Sequence, residues 1–214
     1  MARGRAPGYD DQREQILTQA AELFARGGYV GTSMNEVASA CGLSKPALYH
    51  YFKDKNALLL EICNTHISRL IALVDEVDAQ QLAPEPRLRA LIERFVQEYA
   101  HAVNEHRVLT EDVRFLNEQD QARILNGERQ VVESVARAVE ELRPDTDKAG
   151  LTKALTMLLF GMMNWMFTWL KPSGALSYDT MAPIVADLFL GGLGAVQTPS
   201  PKDTKKLAKN YLTS

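Results

Sequence analysis

The chain has 214 residues, of which 46% are hydrophobic and 24% are charged. This composition is typical of a soluble globular protein and excludes a disordered chain or a coiled coil, and the length suits a small domain joined to a medium-sized one. The net charge of -3 does not by itself indicate a nucleic-acid partner, so any such indication must come from local charge.

Residues 1–11 carry charges but no apolar core of the kind that a signal peptide has, so we expect a cytoplasmic protein. Residues 1–9 include Arg3 and Arg5. These residues form either a disordered terminus or a flexible basic arm that reaches phosphates or the minor groove. The two cysteines, Cys41 and Cys63, occupy apolar positions of predicted helices. This placement favours small buried side chains over a disulfide or a metal pair.

The first predicted helix begins at Asp10 or Asp11, either of which can cap it, and ends near Arg26. Its apolar residues recur at steps of three and four, which predicts one face packed against a core. Those residues are Ile16, Ala20, Leu23, Phe24 and Gly27. Thr32 and Ser33 then lie at the start of the next helix, where hydroxyls and free backbone N–H groups can meet a phosphate.

The stretch from Thr32 to Phe52 has the most specific spacing in the chain. Ser33 followed three residues later by Glu36 forms a capping box, which marks the start of a helix. Gly42 supplies the left-handed backbone conformation that ends this helix, and Ser44 can cap the following one. The spacing therefore predicts two short helices joined by a tight turn.

The second of these short helices has two different faces. Its inner side is apolar and carries Ala47, Leu48, Tyr51 and Phe52, whereas its outer side carries Ser44, Lys45, Tyr49 and His50. A cation and aromatic hydrogen-bonding groups on one outer face are typical of a recognition helix that enters a major groove. Pro46 falls in the first turn, where its missing N–H has no partner to lose, and its ring or the Ala47 methyl can lie against a thymine methyl.

The stretch GYVGTSMNEVASACGLSKPALYHYFKDKNALLLEI, residues 28–62, resembles the DNA-binding domain of the TetR/AcrR family of transcriptional regulators. The preceding helix, the glycine turn, the Leu-Tyr-x-Tyr-Phe ending and the Lys-Asp-Lys start of the next helix occur in the family's order. The resemblance covers residues 10–62, about a quarter of the chain. It implies an all-α fold with an N-terminal three-helix helix-turn-helix DNA-binding domain and a C-terminal helical ligand-binding and dimerisation domain. The expected boundaries are an arm at 1–9, the DNA-binding domain at 10–54, the ligand-binding domain at 55–196 and a loose tail at 197–214.

Local charge near the recognition helix is positive but modest: residues 42–55 contain three lysines (Lys45, Lys53 and Lys55) and one acidic residue (Asp54). The lysines at the start of the next helix are either simply solvated or, as the resemblance implies for Lys55, in contact with a phosphate. The expected DNA-binding residues are Thr32, Ser33, Ser44, Lys45, Pro46, Ala47, Tyr49, His50, Lys53 and Lys55.

Helical periods continue beyond this region. An apolar stripe predicts a long helix from Lys53 to about Gln80, which would link the two domains. Pro84 and Pro86 interrupt the pattern. Further helices are predicted over residues 85–104, 107–117 and 118–142, followed by one capped by Asp145 or Thr146.

The stretch from Leu151 to Leu170 is the most apolar in the chain, but Lys153 and Asn164 interrupt it, which argues against a membrane span. A helix that is apolar around its circumference must be buried on all sides, so one side is expected to face its own domain and the other a second copy. Ser177 to Leu193 is the final predicted helix. In the TetR family the last two long helices commonly pair with their copies as a four-helix bundle, which implies a homodimer here.

The run from Phe160 to Ala182 is similar to a segment in a TetR subset that responds to acyl-CoA thioesters. That similarity implies an elongated apolar pocket with a basic mouth for the CoA phosphates, whereas dimer packing alone is the alternative. The expected ligand-binding residues are Met157, Phe160, Gly161, Asn164, Trp165 and Thr168. The candidates for the basic mouth are Arg94, Arg114, Arg123 and Arg129.

No catalytic constellation is visible in the sequence. It has no phosphate-binding glycine loop and no nucleophile elbow, and its four histidines lack the H-E-x-x-H spacing. His101 and His106 do not align on one helix face, so we expect no zinc pair and place each at the surface or at a helix cap. Glu111 and Asp112 are expected on solvated faces. We therefore predict no enzymatic activity, cofactor or metal.

These observations and the resemblance predict a ligand-responsive dimeric transcriptional regulator. We expect a repressor that binds a palindromic operator in double-stranded DNA as a homodimer and is released by a small apolar effector, with an acyl-CoA thioester as the candidate. The alternative is a helical sensor or adaptor without DNA binding, which the acidic balance of the whole chain favours.

Overall fold

The computed structural model describes residues 8–171 and 174–198, and within these ranges the protein is helical without any strand. The predicted all-α fold class is confirmed there. The α-helices of these ranges are α1 (Tyr9–Gly27), α2 (Met34–Ala40), α3 (Lys45–Tyr51), α4 (Lys55–Asp78), α5 (Pro84–His101), α6 (Val103–Asp112), α7 (Glu118–Leu142), α8 (Pro144–Lys148), α9 (Thr152–Asn164) and α10 (Tyr178–Ala195). Short 3₁₀ turns follow α6 at Val113–Phe115 and α9 at Met166–Thr168. The expected N-terminal arm and C-terminal tail lie almost wholly outside the described residues.

The ends of α2 and α3 form as their local residues predict. The Ser33 hydroxyl accepts the Glu36 N–H at 3.3 Å, and the Glu36 carboxylate accepts the Ser33 N–H at 2.7 Å, which completes the capping box. Gly42 has a left-handed φ of 64° in the turn. Ser44 caps α3 by accepting the Ala47 N–H at 3.3 Å. The two helices are therefore fixed by side chains within the same stretch of sequence.

Two predicted N-caps are wrong, that of the first helix at Asp10 or Asp11 and that of the eighth at Asp145 or Thr146. Helix α1 begins after Gly8, which has a left-handed φ of 81° and offers no side-chain cap. The two aspartates lie in its first turn, where a negative charge stabilises the helix dipole. Helix α8 begins at Pro144, because the fixed φ of proline suits the first helical position.

Contacts within the chain divide it into two compact units. The first contains the described residues up to Arg69 together with Ala102–Gly127. The second contains Leu70–His101 together with the described residues from Glu128 onward. The helix-turn-helix thus shares its unit with α6, which packs on α1. The functional boundaries expected at residues 54 and 196 stay predictions.

Helix α6 starts earlier than expected, at Val103. His106, Leu109 and Asp112 therefore share one face at steps of three, and all three side chains are buried. The surface position expected for His106 and the solvated position expected for Asp112 are both wrong. His106 instead contacts His66 of α4, with 3.3 Å between its Nδ1 and the Nε2 of His66.

Only one side of α9 is buried within the chain. Leu155, Leu159, Phe160 and Met163 are buried, whereas the other side exposes large apolar side chains. The helix also ends at Asn164, earlier than the predicted Leu170, and a 3₁₀ turn follows. The residues after Asn164 include Phe, Thr and Trp, which are weaker helix formers than the leucines and methionines before them.

Helix α4 is long and apolar enough to cross a membrane by length and composition alone, since an 18-residue window within it has a mean hydropathy of 1.5. Half of that window is buried inside the protein, including Leu58, Leu59 and Ile62. A core helix of a water-soluble fold has the same properties, so its composition alone is weak evidence for a membrane span.

The buried histidine contact links pH to stability. Burial, together with the nearby charge of Arg69, lowers the pKa of His66 to about 4. Burial, together with the neighbouring His66, lowers the pKa of His106 to about 3. Both imidazoles are therefore neutral near pH 7, where one ring can donate an N–H to the other.

We expect acid to destabilise the protein through this pair. In the unfolded chain each imidazole binds a proton near pH 6.5, whereas the folded chain resists protonation until about pH 4 or below. The unfolded state binds more protons between these values, so the free energy of unfolding falls as the pH falls from about 6.5 toward 4. Urea denaturation at a series of pH values measures this fall.

His106→Gln should make the fall shallower, whereas the same change at the exposed His101 should leave it unaltered. The same pH dependence in the wild type and in His106→Gln would contradict this account.

Candidate functional site

Helix α3 presents a polar outer side and buries an apolar inner side. Leu48 is fully buried and Phe52, which follows the helix, is 4% exposed. Lys45, Pro46 and His50 are exposed, and Tyr49 is 43% exposed although it is a large aromatic residue. An aromatic side chain with a free outer face beside a lysine can stack on or hydrogen-bond to a ligand such as the edge of a base.

Helix α1 fixes the C-terminal end of α3. The ring of Tyr9 stacks on that of Tyr51 with 4.8 Å between centroids. The Arg13 guanidinium lies 4.9 Å from the centroid of the Phe52 ring and pairs with the Glu61 carboxylate at 2.9 Å. The recognition helix is therefore held against α1 and α4 by its inner side while its outer side stays accessible.

Two residues that were expected to contact DNA, Thr32 and Lys55, form hydrogen bonds with backbone carbonyls at the loop between α1 and α2. The Thr32 hydroxyl is buried and donates to the carbonyls of Gly28 at 3.0 Å and Leu23 at 3.2 Å. The Lys55 ammonium donates to the carbonyls of Tyr29 at 2.7 Å and Thr32 at 2.8 Å. The DNA contacts expected of Thr32 and Lys55 stay predictions, and here both side chains are bonded within this loop.

Tyr29 belongs to no recognisable motif in the sequence, and its role is visible only in the structure. Its ring packs edge-on against Phe24 at 5.3 Å and stacks on Phe115 at 5.4 Å. Its backbone N–H is a hydrogen-bond donor to the Asp112 carboxylate, yet burial raises the pKa of Asp112 above its usual value. Burial likewise raises the pKa of Tyr29, and Asp54 and Asp112 add to the rise. A prediction that starts α6 at Val103 would place Asp112 on the same buried face as His106 and Leu109. A buried carboxylate on that face would then indicate a hydrogen-bond donor nearby.

Ser33, Ser44 and Lys53 are exposed, as a contact with a phosphate requires. The carboxylate of Glu36 also accepts a hydrogen bond from the Ser33 hydroxyl at 2.8 Å, and this bond lowers the pKa of Glu36. Ser33 lies directly at the N-terminus of α2, where the helix dipole favours an anion.

The six residues expected to bind a ligand lie in the second unit and differ in how far they are buried. Phe160 is buried and packs edge-on against Phe95 with 5.8 Å between ring centroids. The Asn164 side-chain oxygen is buried without a hydrogen-bond partner among the described residues. The remaining four side chains or positions are exposed in the single chain: Met157, Gly161, Trp165 and Thr168.

Two cavities lie in the first unit rather than around these six residues. One has a volume of about 380 Å³ and is lined by residues of α1, α3, α4 and the start of α7, among them Arg13, Phe52 and Asn56. The other has a volume of about 230 Å³ and is lined by α1, α4 and α6 residues that include His66 and Glu105. Neither cavity includes a predicted ligand-binding residue.

Two of the arginines considered for a basic mouth have contacts of their own. Arg94 pairs with Glu76 at 2.6 Å, and the Arg114 guanidinium lies 5.0 Å from the centroid of the Phe115 ring. Arg123 and Arg129 are exposed. Among the residues that the structure describes, no three His, Cys, Asp or Glu side chains are grouped to hold a metal ion.

Comparison with known proteins finds two family models that together cover most of the chain. Residues 16–62 match bacterial regulatory proteins of the tetR family. Residues 81–193 match the tetracyclin repressor-like C-terminal domain.

Solved structures are similar over nearly the whole chain. A TetR-family transcriptional regulator from Bordetella parapertussis 12822 is 34% identical, with a TM-score of 0.82 over 89% of this chain and 100% of that one. AibR in complex with isovaleryl coenzyme A and operator DNA is 26% identical, with a TM-score of 0.69 over 88% of this chain and 100% of that one.

A curated relative is similar over a shorter region. The HTH-type transcriptional activator FasR of Mycolicibacterium smegmatis is 33% identical over 110 residues. The match spans 51% of this chain and 50% of FasR, so the chain covers only about half the length of that relative.

Proposed function

Because this chain belongs to the TetR family of transcriptional regulators, we propose that it is a dimeric repressor that binds a palindromic operator and is released by a small apolar effector. The observation that carries the proposal is the outer side of α3, where Lys45, Tyr49 and His50 are exposed on a helix anchored from behind. Both matched family models describe regulatory proteins, so the prediction that the chain is not an enzyme is confirmed.

In this proposal the outer side of α3 enters the major groove. Tyr49 and His50 read base edges, and Lys45 neutralises a phosphate or donates to a guanine. Lys53 and the N-terminus of α2 at Ser33 contact the flanking backbone. The full proposed contact set is that of the sequence, namely Thr32, Ser33, Ser44, Lys45, Pro46, Ala47, Tyr49, His50, Lys53 and Lys55. Of these, Thr32 and Lys55 must first leave their bonds within the loop if they are to reach DNA themselves.

A second copy of the chain is the proposed partner for the outer sides of α9 and α10. Large apolar side chains are exposed there and directly after α9, including Leu158 at 66%, Leu188 at 65% and, just beyond α9, Trp165 at 63%. Monomeric soluble proteins rarely leave such a set of side chains in water, and burial of apolar surface drives association. A two-fold dimer also supplies two recognition helices, which a palindrome requires about 34 Å apart or at a multiple of that distance.

We propose an acyl-CoA thioester as the effector. Three observations support this class: the similarity of the run from Phe160 to Ala182 to acyl-CoA-responsive regulators, the isovaleryl coenzyme A bound by AibR, and the unpaired oxygen of Asn164. An acyl chain suits the apolar surroundings of Phe160 and Phe95, and the amide N–H groups of the pantetheine arm could satisfy the Asn164 oxygen.

The effector acts in this proposal by shifting a population. A ligand that binds one arrangement of the chain better than another favours that arrangement by its difference in affinity. Operator binding requires two recognition helices in register, so a state that alters their spacing loses several contacts at once. Release by the effector is the expected direction, and tighter binding in its presence would make the protein a ligand-dependent binder of its operator.

Substitution of recognition-helix residues should weaken operator binding. We expect Lys45→Ala to reduce the affinity of the dimer at least tenfold, since each of the two lost base or phosphate contacts costs ~1–3 kcal/mol. If Lys45 contacts a phosphate, the salt dependence of binding should also become shallower by about one unit per recognition helix, or about two for the dimer. Fluorescence anisotropy with DNA from upstream of the protein's own gene measures both quantities.

Tyr49→Phe tests the hydroxyl on the same helix face, and Lys148→Ala on α8 is the matched control for loss of charge. Wild-type protein without specific, salt-sensitive binding would contradict the proposal and favour a helical sensor or adaptor.

Introducing a charge on the outer side of α10 should produce monomers. Leu188→Glu places a carboxylate in the proposed apolar interface, where an unpaired charge is costly to bury. Sedimentation velocity should give a dimer for the wild type and a monomer for the variant, with unchanged helical circular dichroism because Leu188 is exposed within the chain. Gln130→Glu, at an exposed position of α7, should remain dimeric. A dimeric Leu188→Glu protein would place the interface elsewhere.

Acyl-CoA thioesters should raise the thermal midpoint. A ligand at 100 times its Kd adds about 2.7 kcal/mol to the free energy of unfolding, which corresponds to roughly 5–10 °C for a chain of this size. Isovaleryl-CoA and longer acyl-CoAs should produce this rise and release the operator, whereas free CoA should do so weakly. Asn164→Leu should reduce the rise because it removes the proposed hydrogen-bond acceptor. If no acyl-CoA stabilises the protein, this effector class is wrong.

A further inference from the structure

The loop between α1 and α2 meets a segment of the chain that lies far beyond the helix-turn-helix. Tyr29 is the centre of this contact, and all of its partners belong to the first unit. Its ring stacks on Phe115 with 5.4 Å between centroids and an angle of 21° between the planes. The Lys55 ammonium lies 4.3 Å from the centroid of the same ring, a cation–π distance.

The backbone of the loop is fixed as tightly as the ring. Lys55 donates to the carbonyls of Tyr29 and Thr32, and a longer contact of 3.4 Å reaches the carbonyl of Val30. At Gly31 an added Cβ would lie 2.6 Å from the carbonyl oxygen of Gly27, so the chain passes too close to itself for a side chain. The loop is therefore closely packed, both against itself and against the Lys55 side chain.

The distant segment binds the loop through two residues. Asp112, the last residue of α6, is 6% exposed, and the nearby backbone N–H of Tyr29 stabilises its carboxylate and lowers its pKa, although burial raises that pKa more. Phe115 ends the 3₁₀ turn that follows and supplies the stacked ring. A buried carboxylate needs such a donor, since its desolvation is otherwise uncompensated. Asp112 and Phe115 therefore both contact the loop at Tyr29, one through its buried carboxylate and the other through its ring.

The loop leads directly into the DNA-reading helices. Ser33 caps α2 immediately after Thr32, and α2 is joined to α3 by the turn at Gly42. The course of the loop therefore sets where α2 begins, and α2 packs on α3. A loop freed from Phe115 and Asp112 would allow several positions of these helices, and only part of the population would be competent to bind.

We propose that Tyr29, Asp112 and Phe115 are positioning residues for operator binding. The segment from Asp112 to Phe115 holds the α1–α2 loop, and through it the recognition helix, in the orientation that binds DNA. This inference rests on the proposed operator binding and adds that the DNA-reading unit is incomplete without residues at the end of α6.

Full-length variants test this inference by operator affinity and its salt dependence. Tyr29→Ala and Phe115→Ala should each weaken operator binding at least fivefold, because each removes the ring stack. Neither should change the slope of affinity against salt, since neither side chain contacts a phosphate. Tyr29→Phe keeps both the ring and the backbone N–H and should bind within twofold of the wild type.

A matched pair of isosteric substitutions, each of which removes one negative charge, separates the buried carboxylate from a neighbouring one. Asp112→Asn should weaken binding, because the amide is a poorer acceptor for the Tyr29 N–H than a carboxylate. Glu111→Gln, at the adjacent exposed position, should bind as the wild type does. The double variant Lys55→Met/Phe115→Ala should lose less binding free energy than the sum of the losses in the two single variants, since both substitutions act on one loop.

Circular dichroism and thermal denaturation establish that each variant is folded at the temperature of the binding measurement. If Phe115→Ala is not folded there, Phe115→Leu keeps apolar bulk and removes only the aromatic stack. Folded variants of Tyr29 and Phe115 that bind as tightly as the wild type would overturn this inference alone. A shallower salt slope in either variant would also overturn it, since the residue would then contact DNA directly. Absence of specific binding by the wild type would instead overturn the proposed function, and this inference with it.

Discussion

The contact between the Lys55 ammonium and the loop carbonyls is the interaction on which presentation of the recognition helix depends. Carbonyl oxygens of Tyr29 and Thr32 converge on this single group, and its charge offsets dipoles that would otherwise repel one another. Lys55 is also the first residue of α4, just after the end of α3. One side chain therefore ties the start of α2 to the end of α3 and limits how far the two helices can move apart.

Two exposed surfaces of the described residues are suited to different kinds of partner. The outer side of α3 is polar and carries a cation, whereas the outer sides of α9 and α10 expose leucine and tryptophan. A polar helix face of this kind suits DNA, and an apolar one suits a second copy of the chain. In the proposed function the two requirements are linked, because a recognition helix with few lysines nearby would bind an operator firmly only when a dimer presents it twice.

The sequence by itself determined the helix-turn-helix and the all-α class. Ser33, Gly42 and Ser44 act within a stretch of about twenty residues, so their effects need no distant partner. The helix over Glu118–Leu142 followed from its apolar period in the same way. Local hydrogen bonds and periods are properties of neighbouring residues, and a single sequence displays them directly.

Only the tertiary structure decided which groups meet across the chain. His106 and Asp112 are buried because α6 begins at Val103 and turns that face inward, against His66 and the loop at Tyr29. The resemblance implied a phosphate contact for Lys55, which stays a prediction, whereas only the structure shows that its ammonium lies where several loop carbonyls converge. A period identifies the face of a helix that is covered, but the element that covers it depends on packing between residues far apart in sequence.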